Sequence, residues 1–357
     1  MNTPLSKIIV AATAAFAACA LLYLFIVLVP NANEPEVGRH PQVSPSQSPL
    51  KSAYILATAT TGGTFYPVGV AIATLTKVKL EQKHKVSISA ISSAGSAENV
   101  KLIRENQAQF AILQGLYGAW AWRGEGRVKG PQRHLRSITM LWQNVEHFAV
   151  TSLHVKTGTM ADLNAFNQAK FSIGKRNSGT EGSGRHILSA LDIDADKTFN
   201  VVYLGYGPSA DALQNGNIKG MNIPAGAPVS AIARAFAVLG EKMTVLDFSD
   251  EQLEKVNSTY PLWTRYEIPA NTYPNQNQAI KTIAQPNFLV VRENVSEEDV
   301  YLITKTLYEN LPFLHGIHKA TKAMALEKAI EGLPLPLHPG AARYYQEKGI
   351  KIQDNLL

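Results

Sequence analysis

Three short segments combine glycine with hydroxyl side chains in a way that suits chemistry with a small anion: Thr61-Gly62-Gly63-Thr64, Ser92-Ser93-Ala94-Gly95-Ser96 and Asn177-Ser178-Gly179-Thr180. Small residues let backbone amides approach a ligand, hydroxyls donate hydrogen bonds, and a helix starting there directs the positive end of its dipole at the bound group. One such segment is ordinarily a turn plus a helix cap. Three at equivalent places suggest a shared anion-binding cleft. Lys175 and Arg176 flank the third segment, either adding positive charge to the cleft or standing as solvated surface cations. Tyr66, Tyr203 and Tyr206 offer an apolar wall with a polar tip, the alternative being ordinary core positions.

Catalytic and metal chemistries fit less well. Gly182-Ser183-Gly184 lacks the spacing of a G-x-S-x-G nucleophile elbow, and no G-x-x-x-x-G-K-[ST] phosphate loop occurs. Asp192, Asp194 and Asp196 imitate the start of a calcium loop, but Lys197 and Tyr203 stand where a glycine and a bidentate glutamate are required. That stretch reads as a polar helix-to-strand turn. His315 and His318 have no acidic partner between them and read as surface or capping residues. Trp120 and Trp122 face different sides of a helix, which suits core or interdomain packing better than base stacking. The lone Cys19 lies in the N-terminal apolar stretch and excludes a disulfide scaffold, a zinc finger and a cysteine hydrolase. No catalytic residue, metal or cofactor is assigned.

The elements that must position the three segments follow an alternating rhythm of strand-like and helix-like runs: 53–58 then 66–77, 86–91 then 97–105, and 110–114 then 116–122. A second series runs 170–174 then 182–191, 199–204 then 209–214, 219–223 then 229–238, and 243–247 ahead of 251–256. Such alternation predicts an α/β fold with crossover helices on a mostly parallel sheet, here in two similar halves. Strands at 138–140 and 148–151 stand between them, and 279–284 and 288–291 look like a return path ahead of a helical tail over 296–348. The chain is thus expected to cross between halves twice, with a first domain of 52–147 and 275–357 and a second of 148–274. Ligands of open α/β sheets sit beyond the carboxyl ends of strands, where all three segments fall.

The 357 residues carry a net charge of +6 without a long basic block, weak grounds for nucleic-acid binding, and none is assigned as a partner. Ile8–Val29 is a run of 22 residues without a charge, long enough to span a bilayer core. Residues 1–30 therefore read as one transmembrane anchor, a cleavable signal segment being the rival. Lys7 precedes the run while Glu34 and Glu36 follow it, which places the rest of the chain outside the cytoplasm. The Pro- and Ser-rich stretch 31–51 reads as an extended tether.

In order along the chain, five motifs together resemble the TAXI subfamily of substrate receptors of tripartite ATP-independent periplasmic (TRAP) transporters. They are Thr61 to Gly69, Ser93 to Asn99, Ser178-Gly179-Thr180, Ile268 to Pro274 and Pro336 to Tyr345. The resemblance implies a two-domain periplasmic binding protein fold, type II-like with a hinge, that closes on a small carboxylate such as glutamate, 2-oxoglutarate or a related dicarboxylate and delivers it to the permease subunits of a TRAP transporter in the bacterial inner membrane. The ligand-binding residues it implies, joined to those read above, are Thr61, Gly62, Gly63, Thr64, Tyr66, Ser93, Ala94, Gly95, Ser96, Asn99, Gln114, Ser178, Gly179, Thr180, Tyr206 and Gly226, with Lys175 and Arg176 as anion contacts. Pro336–Tyr345 reads instead as packing for the C-terminal helix. Two departures stand out: Lys219-Gly220-Met221 replaces an acidic Asp-Ala pair, although Ala225-Gly226-Ala227-Pro228 is kept, and the anchor is unusual among receptors that are commonly free. Those departures favour, as the alternative, a membrane-tethered sensor or assembly factor with the same fold; an extracytoplasmic enzyme is a third reading.

Overall fold

The computed structural model describes residues 52–357, so the expected anchor and tether lie outside the described residues. Each apolar run of the first series becomes a strand followed by a helix: β1 (Ser52–Ala57), α1 (Phe65–Thr76), β2 (Val86–Ile91), α2 (Ser96–Arg104), β3 (Phe110–Gln114) and α3 (Gly115–Arg123). The spacing explains why. In α1 the buried Val68, Ala71, Ile72 and Leu75 recur at helical intervals and line one face. Pro67 falls in the first turn, where a backbone N–H has no intrahelical partner to lose. All five residues of β3 are buried, as befits a strand covered on both faces.

After β4 (Leu135–Val145) the second series gives β5 (Phe148–Thr151), β6 (Lys170–Ser172), α4 (Gly179–Ala190), β7 (Asn200–Val202), α5 (Tyr206–Gln214), β8 (Gly220–Asn222), α6 (Ser230–Leu239), β9 (Met243–Val245) and α7 (Asp250–Asn257). The chain ends through β10 (Thr264–Ile268), β11 (Ile280–Arg292), α8 (Glu297–Glu309), α9 (Leu311–Ile317) and α10 (Pro339–Glu347).

Two sheets result. The first runs β10-β11-β3-β1-β2 with β4 also paired to β11, and the second runs β7-β6-β8-β5-β9. β1 is parallel to β2 and β3, whereas β11 is antiparallel to β3, β4 and β10. In the second sheet β6 is parallel to β7 and β8, while β5 is antiparallel to β8 and β9. β4 leads into β5 through only Glu146 and His147.

Four expectations need correction. The sheets are mixed rather than mostly parallel, because β5 and β11 pair antiparallel with every neighbour. The two runs at 279–284 and 288–291 are one strand, β11. Pro286, in the gap between those runs, falls between the residues paired with β10, ending at Ala284, and those paired with β3, starting at Asn287. A missing N–H is tolerated at that changeover. The strand expected at 138–140 extends over 135–145 because it follows β11 along most of its length. The helical tail is interrupted: between α9 and α10 the chain makes short 3-10 turns at Lys319–Ala323 and Leu326–Lys328.

The motif Pro336–Tyr345 packs α10 against α8 and β4. The His338 ring accepts from the Gly340 N–H at 3.2 Å, and the Tyr345 hydroxyl donates to the Ile138 carbonyl at 2.9 Å. A methyl group on Gly340 would meet the Glu297 carbonyl oxygen at 2.2 Å, so only glycine permits this approach. Trp120 lies edge-on to Tyr117, His186 and Tyr260, a packing that joins α3 to α4. Trp122 instead carries the Arg133 guanidinium over its ring at 4.3 Å. Asp194 caps the turn at Ala195–Thr198 by accepting from Asp196 and Lys197 N–H, and Asp196 pairs with Arg185. Among the described residues no helix is long and apolar enough to cross a membrane, and no group of three or more His, Cys, Asp or Glu is placed to hold a metal ion.

Candidate ligand-binding site

All three glycine- and hydroxyl-rich segments meet at one cavity. Its wall includes Gly63 and Thr64 ahead of α1, Ala94, Gly95 and Ser96 at the start of α2, and Ser178, Gly179 and Thr180 at the start of α4. Gln114, Lys175 and Tyr206, also anticipated, complete it with Ala59, Thr60, Phe65, Gly205, Pro224 and Ala225. The cavity is partly open to solvent, and its wall is more apolar than polar.

The two halves touch at this cavity. Gly95 has φ +122°, in the region that favours glycine, and a methyl group there would lie 3.4 Å from the Gly179 nitrogen. The Tyr117 hydroxyl donates to the Ser178 carbonyl at 3.3 Å, and the Glu98 N–H donates to the Asn177 carbonyl at 3.2 Å. Outside these, Arg127 pairs with Glu181 at 3.1 Å.

Some polar groups at the wall are already committed within the protein, and others are open to a ligand. The Ser178 side chain caps α4 by accepting from the Glu181 N–H at 3.1 Å. The Tyr206 hydroxyl donates to the Pro224 carbonyl, which can only accept, and so takes the Thr180 hydroxyl proton at 2.9 Å. Thr180 is therefore a brace between α4 and α5, and its hydroxyl is not a free donor. Burial of the Tyr206 hydroxyl raises its pKa and keeps it protonated. In the second segment the Ala94 N–H is spent on the Glu98 carboxylate at 2.7 Å and the Gly95 N–H on the Ser93 hydroxyl at 3.0 Å. The buried Thr64 hydroxyl and the Gln114 side-chain carbonyl have no protein partner. Of the first-turn amides of α1, α2 and α4, those of Glu98 and Glu181 are already bonded to the Asn177 carbonyl and the Ser178 hydroxyl, which leaves the others and the exposed Lys175 to donate to a ligand.

Other anticipated residues stand behind or beside the cavity. The Asn99 amide donates to the Thr58 and Ile112 carbonyls at 2.7 and 2.9 Å, tying β1 to β3, and its oxygen accepts the Ser93 hydroxyl at 2.6 Å. Thr61 and Gly62 line an adjoining hollow with Pro67, Pro228, Ser230 and His318. Tyr66 is half-buried and outside the cavity wall. Arg176 lies over the Tyr203 ring at 3.7 Å and makes no part of the wall. Gly226 is packed against Trp142 and Ala320. Of the wall residues that sequence reasoning missed, Ala59 and Thr60 directly precede the first segment, and Phe65 directly follows it. Gly205 adjoins Tyr206, and Pro224 and Ala225 follow β8 much as the first segment follows β1. Their positions after strands were the available signal.

Two α/β sheets joined by extended crossings, with a cavity where their loops meet, define a fold shared with MatC of Rhodopseudomonas palustris, solved with bound malate: TM-score 0.52, 12% identity, 83% of this chain and 98% of that one. Lower similarity is found to the aliphatic sulphonate binding protein SsuA of Escherichia coli (TM-score 0.41, 10% identity, 82% and 78% covered) and to a TctC solute binding protein from Polaromonas (0.43, 14%, 84% and 98%). Residues 56–349 match the NMT1-like family, and the chain belongs to that family.

Proposed function

We propose that this protein is an extracytoplasmic solute receptor of TAXI type that binds a small carboxylate (glutamate, 2-oxoglutarate or a related dicarboxylate) and hands it to a TRAP-type membrane permease. One observation carries the reading: helix N-termini from both halves converge with the Thr64 hydroxyl and Lys175 on one cavity. A carboxylate supplies acceptors for such donors, and helix dipoles favour its charge by about 0.3–1 kcal/mol each, more when partly buried. The malate in MatC is a ligand of the same chemistry in a protein of the same fold.

Both halves line the cavity, so in this reading ligand entry and release part them. In this reading the fold is type II-like, 52–147 with 275–357 forms one domain and 148–274 the other, and the hinge runs through Glu146-His147 and the return into β11. The domain works on the periplasmic face of the inner membrane, held by residues 1–30 or released if they are cleaved, and it has no catalytic role. The Lys219-Gly220-Met221 departure falls in and beside the buried strand β8, outside the cavity wall, and so lends no weight to a sensor. Calorimetric titration of the full chain with dicarboxylates, amino acids and sulfonates tests the proposal. Saturable binding of one carboxylate is expected, weakened when Thr64→Val is combined with Lys175→Ala. Binding unchanged by that pair would place the site elsewhere.

A further inference from the structure

The two residues that link β4 to β5, Glu146 and His147, are both fully buried. His147 is accounted for. Its Nδ1 lies 2.9 Å from both the Val145 and Ile223 carbonyls, which can only accept, so Nδ1 carries the proton and Nε2 accepts from the Tyr273 hydroxyl at 2.8 Å. Burial lowers its pKa to about 4 and the ring is neutral.

Glu146 has no such account. Its N–H donates to the Ile283 carbonyl at 3.0 Å and its carbonyl accepts the Thr282 hydroxyl at 2.7 Å, which fixes the backbone. Neither carboxyl oxygen is in hydrogen-bonding geometry with a protein donor. The side chains facing it are Asn222 on β8, Gln285 on β11, Trp263 ahead of β10 and Tyr206 on α5. Tyr206 is the titratable one, and it is neutral. His147, the neighbour on its own segment, is turned to Tyr273. With no lysine, arginine or charged histidine in that shell, an ionised carboxylate would have only the Asn222, Gln285 and Trp263 N–H groups to offset its desolvation. Burial accordingly raises the Glu146 pKa to about 8.

This shell adjoins the ligand cavity. Tyr206 lines it, Asn222 leads into Pro224 and Ala225, and Gln285 accepts the Leu116 N–H at 2.8 Å two residues beyond Gln114. Asn222 belongs to the second sheet, Gln285 to the first.

We propose that Glu146 is a proton-binding site coupled to the ligand cavity: when the halves close on a ligand, Asn222, Gln285 and Trp263 come together around this carboxyl, exclude water from it, and the carboxylate takes one proton from solvent. This rests on the receptor reading. Its test is titration of the full chain with the bound carboxylate in two buffers of different ionisation enthalpy, from pH 6 to 8. Wild type is expected to take up close to one proton per ligand at pH 7, with affinity falling up to tenfold per pH unit. Glu146→Gln should abolish both effects and keep the pH 6 affinity within about threefold. Absence of proton uptake in wild type, or uptake that persists in Glu146→Gln, would overturn the coupling. Should the variant not fold, the wild-type proton count and the carboxylic-acid infrared band of the complex decide. If no carboxylate binds, the receptor reading fails, and the buried proton is read from thermal unfolding. A pKa raised in the folded state gives stability that is complete below about pH 4.5 and lost as pH rises through about 8. Wild type must then fall behind Glu146→Gln across that range, and parallel profiles would refute a buried protonated carboxyl.

Discussion

A single methyl group at Gly179 tests whether the closed cavity is the ligand-bound form. Gly179 opens α4 in the second half, and a methyl there would lie 2.7 Å from the Gln114 Cδ, 2.8 Å from its Oε1 and 2.8 Å from the Ser96 Oγ. Carbon atoms in favourable contact sit about 3.5–4.0 Å apart, so the halves must separate by roughly 1 Å or Gln114 must leave its place. Overpacking of this kind costs about 1–3 kcal/mol, and the cost falls on the closed state alone, because Gln114 and Ser96 belong to the first half. Ligand affinity should therefore fall by about 5- to 150-fold. Alanine is a better helix residue than glycine, so the melting temperature of the ligand-free protein should hold or rise slightly. Titration calorimetry reads the first quantity and a thermal melt the second. An affinity within twofold of wild type, in a protein that melts normally, would show that ligand binding does not use this closed contact.

Further substitutions probe the supports around the cavity. Tyr206→Phe removes the bond to the Pro224 carbonyl and leaves the Thr180 hydroxyl without its acceptor; affinity should fall by about 1–3 kcal/mol, seen by the same calorimetry, with little change in secondary structure by circular dichroism. Asn99→Leu strands the Thr58 and Ile112 carbonyls in a buried place and should lower unfolding stability by about 2–4 kcal/mol, measured by urea titration at constant slope. Arg127→Ala removes a cation that is largely exposed and leaves Glu181 near Arg185; the loss should stay within about 1 kcal/mol and vanish in high salt, appearing as faster ligand release in stopped flow. His147 has its pKa depressed to about 4 by burial, so the stability it contributes is complete above about pH 6.5 and is lost as pH falls through 4; His147→Gln should flatten the acid limb of a melting-temperature profile.

The parts of the fold that were legible in the sequence are those dictated locally. Val86–Ile91 and Phe110–Gln114 form strands over the expected residues because their apolar runs are bounded by polar turns. Two helices begin three residues earlier than their periodicity suggests, at Gly179 and Tyr206. Gly179-Thr180 and Gly207-Pro208 are poor helix formers, but the Ser178 cap holds the first, and Pro208 lies in the first turn of the second, where no N–H is needed. β10 escaped notice because its burial shows no strong alternation and its partner is only found on β11. The cavity itself was anticipated as a meeting of three segments. What the sequence did not reveal is which groups are already occupied: the Thr180 and Ser93 hydroxyls reads as donors to a ligand in a linear chain, and only their neighbours in space show that they brace the walls.

The placement of β11 bears on the order in which the molecule can be built. β3 lies between β1 and β11 in the first sheet, yet the two are separated in sequence by the whole of the second sheet. As the chain emerges from its N-terminus, β1, β2 and β3 can pair at once, but the apolar edge of β3 has no neighbour until residues 280–292 arrive. The second half must be synthesised with the first half unfinished, and the final strand then joins β3, β4 and β10 together. Long-range pairings of this kind are slow and leave sheet edges open to the wrong partners. A protein with this topology spends its early life as one incomplete sheet, and the last strand to arrive is also the one that carries the chain back from the second sheet to the first.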